Sequence, residues 1–241
     1  MLNNFFDKIY VLNLHKRKER LSLTKKRLQF SDIDFEVFNG VDGSLMKKIW
    51  NVFKETNSYF SNSNYIACSL SHLSIYQDAL ENGYNRILIL EDDNRVHRNI
   101  HSIFSSNFIK ELETTQLLDH SDILYFGYIP LSDDCTRWDY SVFSEQYLTD
   151  HTFVAKNLWG LYAYSPSVDL MREMVDVYNS EFPMEIDRYF VTHIQPRNKC
   201  IGISPQLFAA DDGLSDNSGN YETNMLTRSV DSRFASILDY V

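Results

Sequence analysis

A chain of 241 residues with 44% apolar and 23% charged residues can bury a sizeable core as a soluble globular protein, in one large domain or two small ones. Its formal charge of −10 argues against nucleic acid as a partner, because binding a polyphosphate calls for a basic surface. Cys68, Cys135 and Cys200 are scattered and form no CxxC pair, so a structural zinc site or disulfide framework has no support and a reducing compartment is expected. The opening residues lack a basic stretch ahead of a long apolar core, so they do not read as a signal peptide. No stretch approaches the roughly 20 apolar residues that a bilayer span needs. A cytoplasmic location is expected, with peripheral contact on the inner face of a membrane left open by composition.

Residues 8–14 (K-I-Y-V-L-N-L) are rich in β-branched and aromatic side chains and predict the first strand. Residues 15–30 read as an exposed helix with Leu21, Leu23, Leu28 and Phe30 as its apolar positions. Its opening run, His15-Lys16-Arg17-Lys18, puts positive charge where the helix dipole is already positive, at a cost of roughly 0.3–1 kcal/mol per residue. Either the helix begins later, near Glu19, or these cations meet a phosphate at the carboxyl end of the first strand, where open α/β sheets bind ligands. Residues 34–39 predict a second strand, 40–43 (G-V-D-G) a turn, 44–53 a helix and 55–64 a polar loop. From Ile66, apolar positions recur at helical spacing through Leu70, Leu73 and Leu80 to a stop at Asn82-Gly83.

Residues 87–90 (I-L-I-L) predict a strand buried on both faces, and Glu91, Asp92 and Asp93 follow at once. Folding alone does not ask for that triplet. Adjacent like charges repel, and a carboxylate at the edge of a core is costly unless it is paired or bound to a metal. The bland reading is a solvated acidic turn. The sharper one is a hard-cation site, with oxygen ligands for Mn²⁺ or Mg²⁺ that hold a substrate's phosphates.

Beyond the triplet, residues 100–118 predict a helix, 122–127 a buried strand, 130–150 a long loop and 158–164 a strand. Ser165-Pro166 starts a helix reaching about residue 178, and Pro183 opens a short one that carries Glu185 and Asp187. Residues 199–203 predict a strand, 209–224 a loop and 229–240 a closing helix. Strands alternating with helices, without internal repeats, predict one α/β domain whose largely parallel central sheet is flanked by helices.

Several segments, in order, carry a resemblance: I-Y-V-L-N-L-H-K-R-K-E-R (9–20), F-N-G-V-D-G (38–43), A-C-S-L-S-H-L-S-I-Y (67–76), I-L-I-L-E-D-D (87–93), M-E-I-D-R-Y-F (184–190) and G-L-S-D-N (213–217). Together they resemble glycosyltransferase family 25, the lipopolysaccharide-biosynthesis and procollagen galactosyltransferase group. That resemblance implies a GT-A-like nucleotide-sugar-binding fold in a single domain spanning 1–241. Its nucleotide-binding part would cover about 1–130 and its acceptor-side part about 131–241. It also implies inverting transfer of a hexose, galactose or glucose, from a nucleotide diphosphate sugar such as a UDP-hexose. The acceptor would be a hydroxyl of lipopolysaccharide or another surface glycan.

Glu91 and Asp93, two apart at a strand end, can point to one side and are the expected ligands of Mn²⁺ or Mg²⁺. Asp92 would face the other way or touch the ribose, and His193 and Asp216 are candidates for a third ligand. An inverting transfer needs a carboxylate that takes the acceptor's proton; Asp187 is the first candidate and Glu185 the second. Both acids could instead simply complement a helix dipole. Asn13, His15, Lys16, Arg17, Arg20, Asp42, His72 and Asp92 are the expected donor-binding residues, although His72 by position alone reads as a core histidine. Trp159 and Tyr162 could stack on a sugar or be core. His15, Ala67, Asn94 and Asn217 depart from the family's usual residues, which leaves the donor open. Two other classes compete: a metal-dependent phosphoester enzyme using the same triplet, for which neither a nucleophilic Asp nor further His ligands near a strand end are found, and an inactive sugar- or nucleotide-binding protein on the same fold, which stays open.

Overall fold

The computed structural model describes residues 1–46, 62–132, 147–216, 221–223, 225–230 and 235–241. The first half runs through β1 (Lys8–Asn13), α1 (Lys18–Phe30), β2 (Glu36–Asn39), α2 (Ser63–Glu81), β3 (Ile87–Glu91), β4 (Asn94–Val96) and α3 (Ser106–Thr114). The second follows with β5 (Ile123–Pro130), β6 (Thr152–Val154), β7 (Leu158–Pro166), α4 (Val168–Ser180), β8 (Cys200–Ile203), β9 (Phe208–Ala210), β10 (Gly213–Leu214) and β11 (Tyr221–Glu222). A seven-stranded sheet has the order β2-β1-β3-β7-β5-β8-β6. Strands β2, β1, β3, β5 and β8 run one way, while β7 and β6 are reversed. The expected mostly parallel α/β sheet with flanking helices is the observed one.

Successive side chains of a strand point to opposite faces, so a strand between two cores must be apolar throughout. Ile87, Leu88, Ile89 and Leu90 are all fully buried. Ile87 and Ile89 join Tyr10, Tyr76 and Met171 on one face, beneath α2 and α4. Leu88 and Leu90 join Val11, Phe6 and Phe104 on the other. At about 1.5–3 kcal/mol for each such side chain, this run is a major stabilising feature of the sheet. It also fixes where the charges go. Leu12 pairs with Glu91 in the parallel β1–β3 ladder, so the acidic triplet emerges beside the end of β1, at the carboxyl edge of the sheet.

Several boundaries differ from the sequence reading, for local reasons. Helix α1 begins at Lys18 with Arg17 as its N-cap, so the basic run lies in the turn ahead of it. The single helix expected over 100–118 is three pieces, Ile100–Ile103, α3 and Leu117–His120. Ser105 caps α3 by accepting the Phe108 N–H, and Gln116 at φ 56° breaks the chain again before the third piece. Strand β7 extends through Pro166, and Ser167 rather than Ser165 caps the following helix.

The loop expected over 209–224 contains paired strands: β9 lies against β4, and β10 against β11. Among the described residues, the closing helix expected over 229–240 is reduced to a single 3-10 turn, Ile237–Asp239. After it, Val241 exchanges two backbone hydrogen bonds with Val96 and Tyr240 bridges to His97, which draws these two residues into extended pairing. The helix expected over 44–53 starts as a 3-10 turn, Gly43–Met46; its remainder and residues 133–146 of the long loop lie outside the described residues. Among the described residues, no helix is long and apolar enough to cross a membrane.

Strand β8 tolerates no side chain at its centre. A Cβ on Gly202 would lie 2.1 Å from Cζ of Phe153, a fully buried ring packed edge-on against Tyr128. Gly202→Ala is expected to destabilise the protein by about 1–3 kcal/mol through overpacking, read as a fall in Tm with the secondary-structure spectrum unchanged. An unchanged Tm would mean that the ring moves aside freely.

Candidate active site

A cleft of about 1130 Å³, counting the part open to solvent, lies over the carboxyl ends of β1 and β3. Its floor comes from Leu12, Ala67 and Ser71, and one wall from Gly160, Leu161 and Tyr162 of β7. The V-D-G turn is docked on α2, because the Val41 N–H donates to Ser71 Oγ at 2.8 Å. A Cβ on Gly43 would fall 2.3 Å from Asn64 Oδ1 and 2.6 Å from its Cα, so only glycine fits there. Two separately recognised motifs are thereby one piece of cleft wall.

The acidic triplet divides its roles. Asp92 turns inward: it is buried, accepts a short hydrogen bond from Asn13 Nδ2, and pairs with Arg20 at 2.7 Å. Its carbonyl accepts from Thr24 Oγ1 at 2.6 Å. Asp93 and Glu91 face the cleft, and Asp93 also pairs with Arg20. Asp216, from the late G-L-S-D segment, closes on the basic turn. It accepts from Arg17 Nε at 2.8 Å and Nη2 at 2.6 Å, and from Arg20 at 3.4 Å. Lys16 donates to Asp42 at 2.9 Å and stands 3.8 Å from Asp216. These carboxylates satisfy the cations that the helix dipole alone would repel.

Carboxylates still outnumber cations here, and the proton affinities register it. Burial and the neighbouring Asp93 hold the Glu91 carboxyl well above the usual carboxylate range. Burial lifts Asp92 to about 7 even though Arg20 opposes it. Neighbouring cleft-facing carboxylate oxygens are the donor chemistry that suits Mn²⁺ or Mg²⁺, so Glu91 and the Asp93 oxygen that is not paired with Arg20 fit the expected ion. Asp92 does not, because Asn13 and Arg20 already engage its oxygens. Cys68, His72 and Glu91 also place ligand atoms within 4.8 Å of one another, a softer set better matched to zinc.

Asp187 lies in the short helix Ile186–Tyr189 and lines the same cleft. It is held from two sides: its Oδ1 accepts the Leu161 N–H at 3.2 Å, and the neighbouring Ile186 N–H donates to Ser69 Oγ on α2 at 3.0 Å. Burial, and then the charge of Glu91, push its carboxyl up to about 6. Glu185 is buried outside the cleft lining, with Arg188 3.9 Å away.

The structure thus gathers Lys16, Arg20, Glu91, Asp92, Asp93, Asp187 and Asp216 around the cleft, with Asn13, Arg17 and Asp42 immediately behind. Three expected placements change. His15 is exposed in the turn and does not line the cleft. His193 is exposed and stacked on Tyr189 with ring centroids 4.5 Å apart, away from the triplet. His72 is fully enclosed beneath the floor, so it cannot touch a donor; burial lowers its pKa to about 4 and keeps the ring neutral. Tyr162 lines the cleft and Trp159 does not.

Residues with no motif of their own complete the support. Asn94 Nδ2 donates to the carbonyls of Glu91 at 2.9 Å and Tyr162 at 2.6 Å, tying the acidic turn to β7. No apolar residue could make that link. Asp211 accepts from Arg95 at 2.8 Å and from the buried Arg27, while its N–H donates to the Asp93 carbonyl at 2.8 Å. In sequence Asp211-Asp212-Gly213 is part of the loop expected over 209–224, and nothing in its spelling sets it apart from a solvated acidic turn.

A sequence model described as "Glycosyltransferase family 25 (LPS biosynthesis protein)" matches residues 6–190. Among curated proteins, the chain is 29% identical over 135 residues to "Putative glycosyltransferase R655" of Acanthamoeba polyphaga mimivirus, covering 54% of this chain and 40% of that one. It is 28% identical over 100 residues to "Procollagen galactosyltransferase 2" of Mus musculus, covering 37% of this chain and 16% of that one. The chain therefore spans well under half the length of either relative. A solved structure with a similar trace is titled "Crystal structure of a glycosyltransferase involved in the glycosylation of the major capsid of PBCV-1". It has a TM-score of 0.46 at 12% identity, over 88% of this chain and 96% of that one.

Proposed function

This chain belongs to glycosyltransferase family 25, and from that premise we propose that it transfers a hexose from a nucleotide diphosphate sugar to a glycan hydroxyl with inversion. Galactose or glucose on UDP is the first choice of donor, and lipopolysaccharide or another surface glycan the acceptor. The observation that carries the reading is one cleft holding surplus carboxylates, a file of cations and a separately mounted carboxylate, Asp187.

Attack by the acceptor hydroxyl forms a bond from its oxygen to the anomeric carbon as the bond from that carbon to the diphosphate oxygen breaks. Asp187 accepts the hydroxyl proton, and the departing electron pair remains on the diphosphate. Glu91 and Asp93 would hold Mn²⁺ or Mg²⁺, which supplies Lewis-acid stabilisation of the developing diphosphate charge. Lys16 and Arg20 contact the diphosphate, exchanging part of their pairing with carboxylates for it, and Arg17 behind them holds Asp216. Asn13 and Asp92 keep the guanidinium of Arg20 in place, and Asp42 does the same for Lys16. Within one domain, residues 1–130 carry most of the nucleotide side and 131–241 the acceptor side, with Asp211 and Asp216 reaching back to the donor end. A cytoplasmic location with peripheral contact at a membrane's inner face suits a lipid-linked glycan acceptor.

A second reading, a sugar- or nucleotide-binding protein without turnover, has in its favour that Arg17 and Arg20 are already paired with Asp216. Calorimetry of UDP with and without Mn²⁺, followed by a screen of nucleotide sugars for metal-dependent hydrolysis, separates the readings. UDP binding that weakens on chelation of the metal, with hydrolysis of one donor, is the expected result. Binding without hydrolysis or transfer would select the second reading, and no binding of UDP or metal would sink the first.

A further inference from the structure

Beneath the cleft floor, three enclosed polar side chains form a file that ends on Glu91. Tyr76 Oη lies 2.7 Å from Tyr164 Oη, Tyr164 Oη 2.8 Å from His72 Nδ1, and His72 Nε2 3.3 Å from Glu91 Oε1. Tyr76, Tyr164 and His72 are each fully buried. His72 and Tyr76 stand one turn apart on the same face of α2, and Tyr164 reaches in from β7 to bridge them. Counting donors and acceptors decides which atoms carry the hydrogens.

Each phenol has one hydrogen to donate, and the enclosed, neutral imidazole has one. Among the described residues, Tyr164 is the hydrogen-bond partner of Tyr76 Oη. Suppose the file ran outward from the ring, with Nδ1–H donating to Tyr164 and Tyr164 donating to Tyr76. The Tyr76 proton would then be stranded in the core, which disfavours that arrangement roughly 5- to 150-fold. In the reverse direction Tyr76 donates to Tyr164 and Tyr164 to Nδ1, and the ring's single hydrogen sits on Nε2, facing Glu91. Every donor then has an acceptor. The stranded proton lies at the far end of the file, so the outcome is the same whether Glu91 is ionised or protonated.

We propose that the Tyr76–Tyr164–His72 file fixes His72 as a neutral Nε2–H donor that holds Glu91 Oε1 and leaves the other carboxylate oxygen to the cleft. His72 is then a positioning residue for a metal ligand and not a ligand itself. The grouping of Cys68, His72 and Glu91 is not a metal centre, because Nε2 has no lone pair to offer. This role rests on the reading of Glu91 as a ligand. Partners that orient metal ligands are typically worth about 10–100-fold in metal affinity.

Two measurements test it. Long-range proton–nitrogen correlations of the metal-free wild-type protein read the His72 ring directly. A hydrogen on Nε2, retained when Mg²⁺ is added, is the expected result; a hydrogen on Nδ1, or loss of the Nε2 hydrogen on adding the ion, overturns the proposal. In the second, Mn²⁺ is titrated in the presence of UDP and the free ion is followed by electron paramagnetic resonance. His72→Leu is expected to weaken Mn²⁺ binding roughly 10–100-fold. His72→Gln, whose side-chain N–H can take the place of Nε2–H, should restore most of it, which mere filling of the core would not do. Equal affinity in the wild type and His72→Leu overturns the positioning role. A wild-type protein that binds no Mn²⁺ overturns the ligand reading and this role with it. An Nδ1–H ring in a protein that does bind Mn²⁺ overturns the file alone.

Discussion

Asp187→Asn is expected to lower the rate of sugar transfer by about 10²–10⁴-fold while leaving the binding of UDP and metal unchanged. The amide keeps the size of the side chain and can still accept the Leu161 N–H, so the fold around it is preserved. What it loses is the ability to accept a proton as the acceptor attacks. The pH profile gives an independent check. Burial, and then Glu91, place the Asp187 carboxyl at about 6. A base must be ionised, so kcat/KM should climb as pH rises through about 6 and level off above it. Part of the upward push is the charge of Glu91, so saturating Mn²⁺ should move that limb to lower pH. The rising limb should be absent in the Asn variant. Full activity in Asp187→Asn would move the base elsewhere and leave the donor site standing.

Asp93→Asn separates metal binding from folding. The variant is expected to lose about 100-fold or more in Mn²⁺ affinity, beyond the roughly 10–100-fold that outer partners of metal ligands cost. Its metal-free stability should hold or rise. Removing one charge relieves repulsion within the triplet, and Arg20 keeps Asp92 and Asp216 as partners. The wild type carries the cost as a pH dependence. Glu91 and Asp92 bind protons more tightly folded than unfolded, so the metal-free protein should lose stability as pH rises through about 7. Mn²⁺ should flatten that slope. Melting curves at pH 5 and pH 8, with and without metal, report it; a metal-free protein more stable at pH 8 than at pH 5 would contradict the surplus of negative charge.

Much of this was legible in the residues. A run of four branched apolar residues ending in three acids specifies a two-faced strand and the place where its charge emerges, because both follow from local pattern. The basic turn, the V-D-G turn and the S-L-S-H helix were visible as motifs. Their docking was not: the Val41–Ser71 hydrogen bond joins positions 30 residues apart. The pairing of β4 with β9 escaped because strands of three residues carry no usable periodicity. A closing helix was expected over 229–240 because local preference cannot see the edge that Val96 offers to Val241. Its place among the apolar repeats of α2 marked His72 as a core histidine and only the family resemblance put it at the donor; its bond to Tyr164, 92 residues later, was beyond either reading.

The latch between Arg17 and Asp216 joins residues 199 positions apart, and a chain is made from one end. At about 5–20 residues per second, Arg17 leaves the synthetic machinery roughly 10–40 s before its partner exists. Arg20 has a shorter wait, because Asp92 and Asp93 precede Asp216 by more than a hundred residues. The acidic turn is therefore charge-balanced early, from the amino-terminal side. Strand β3 is less fortunate: its open edge, an unbroken apolar run, has no partner until Ala163 and Tyr164 of β7 arrive. The order of manufacture leaves that edge as the segment most in need of protection from other chains during synthesis.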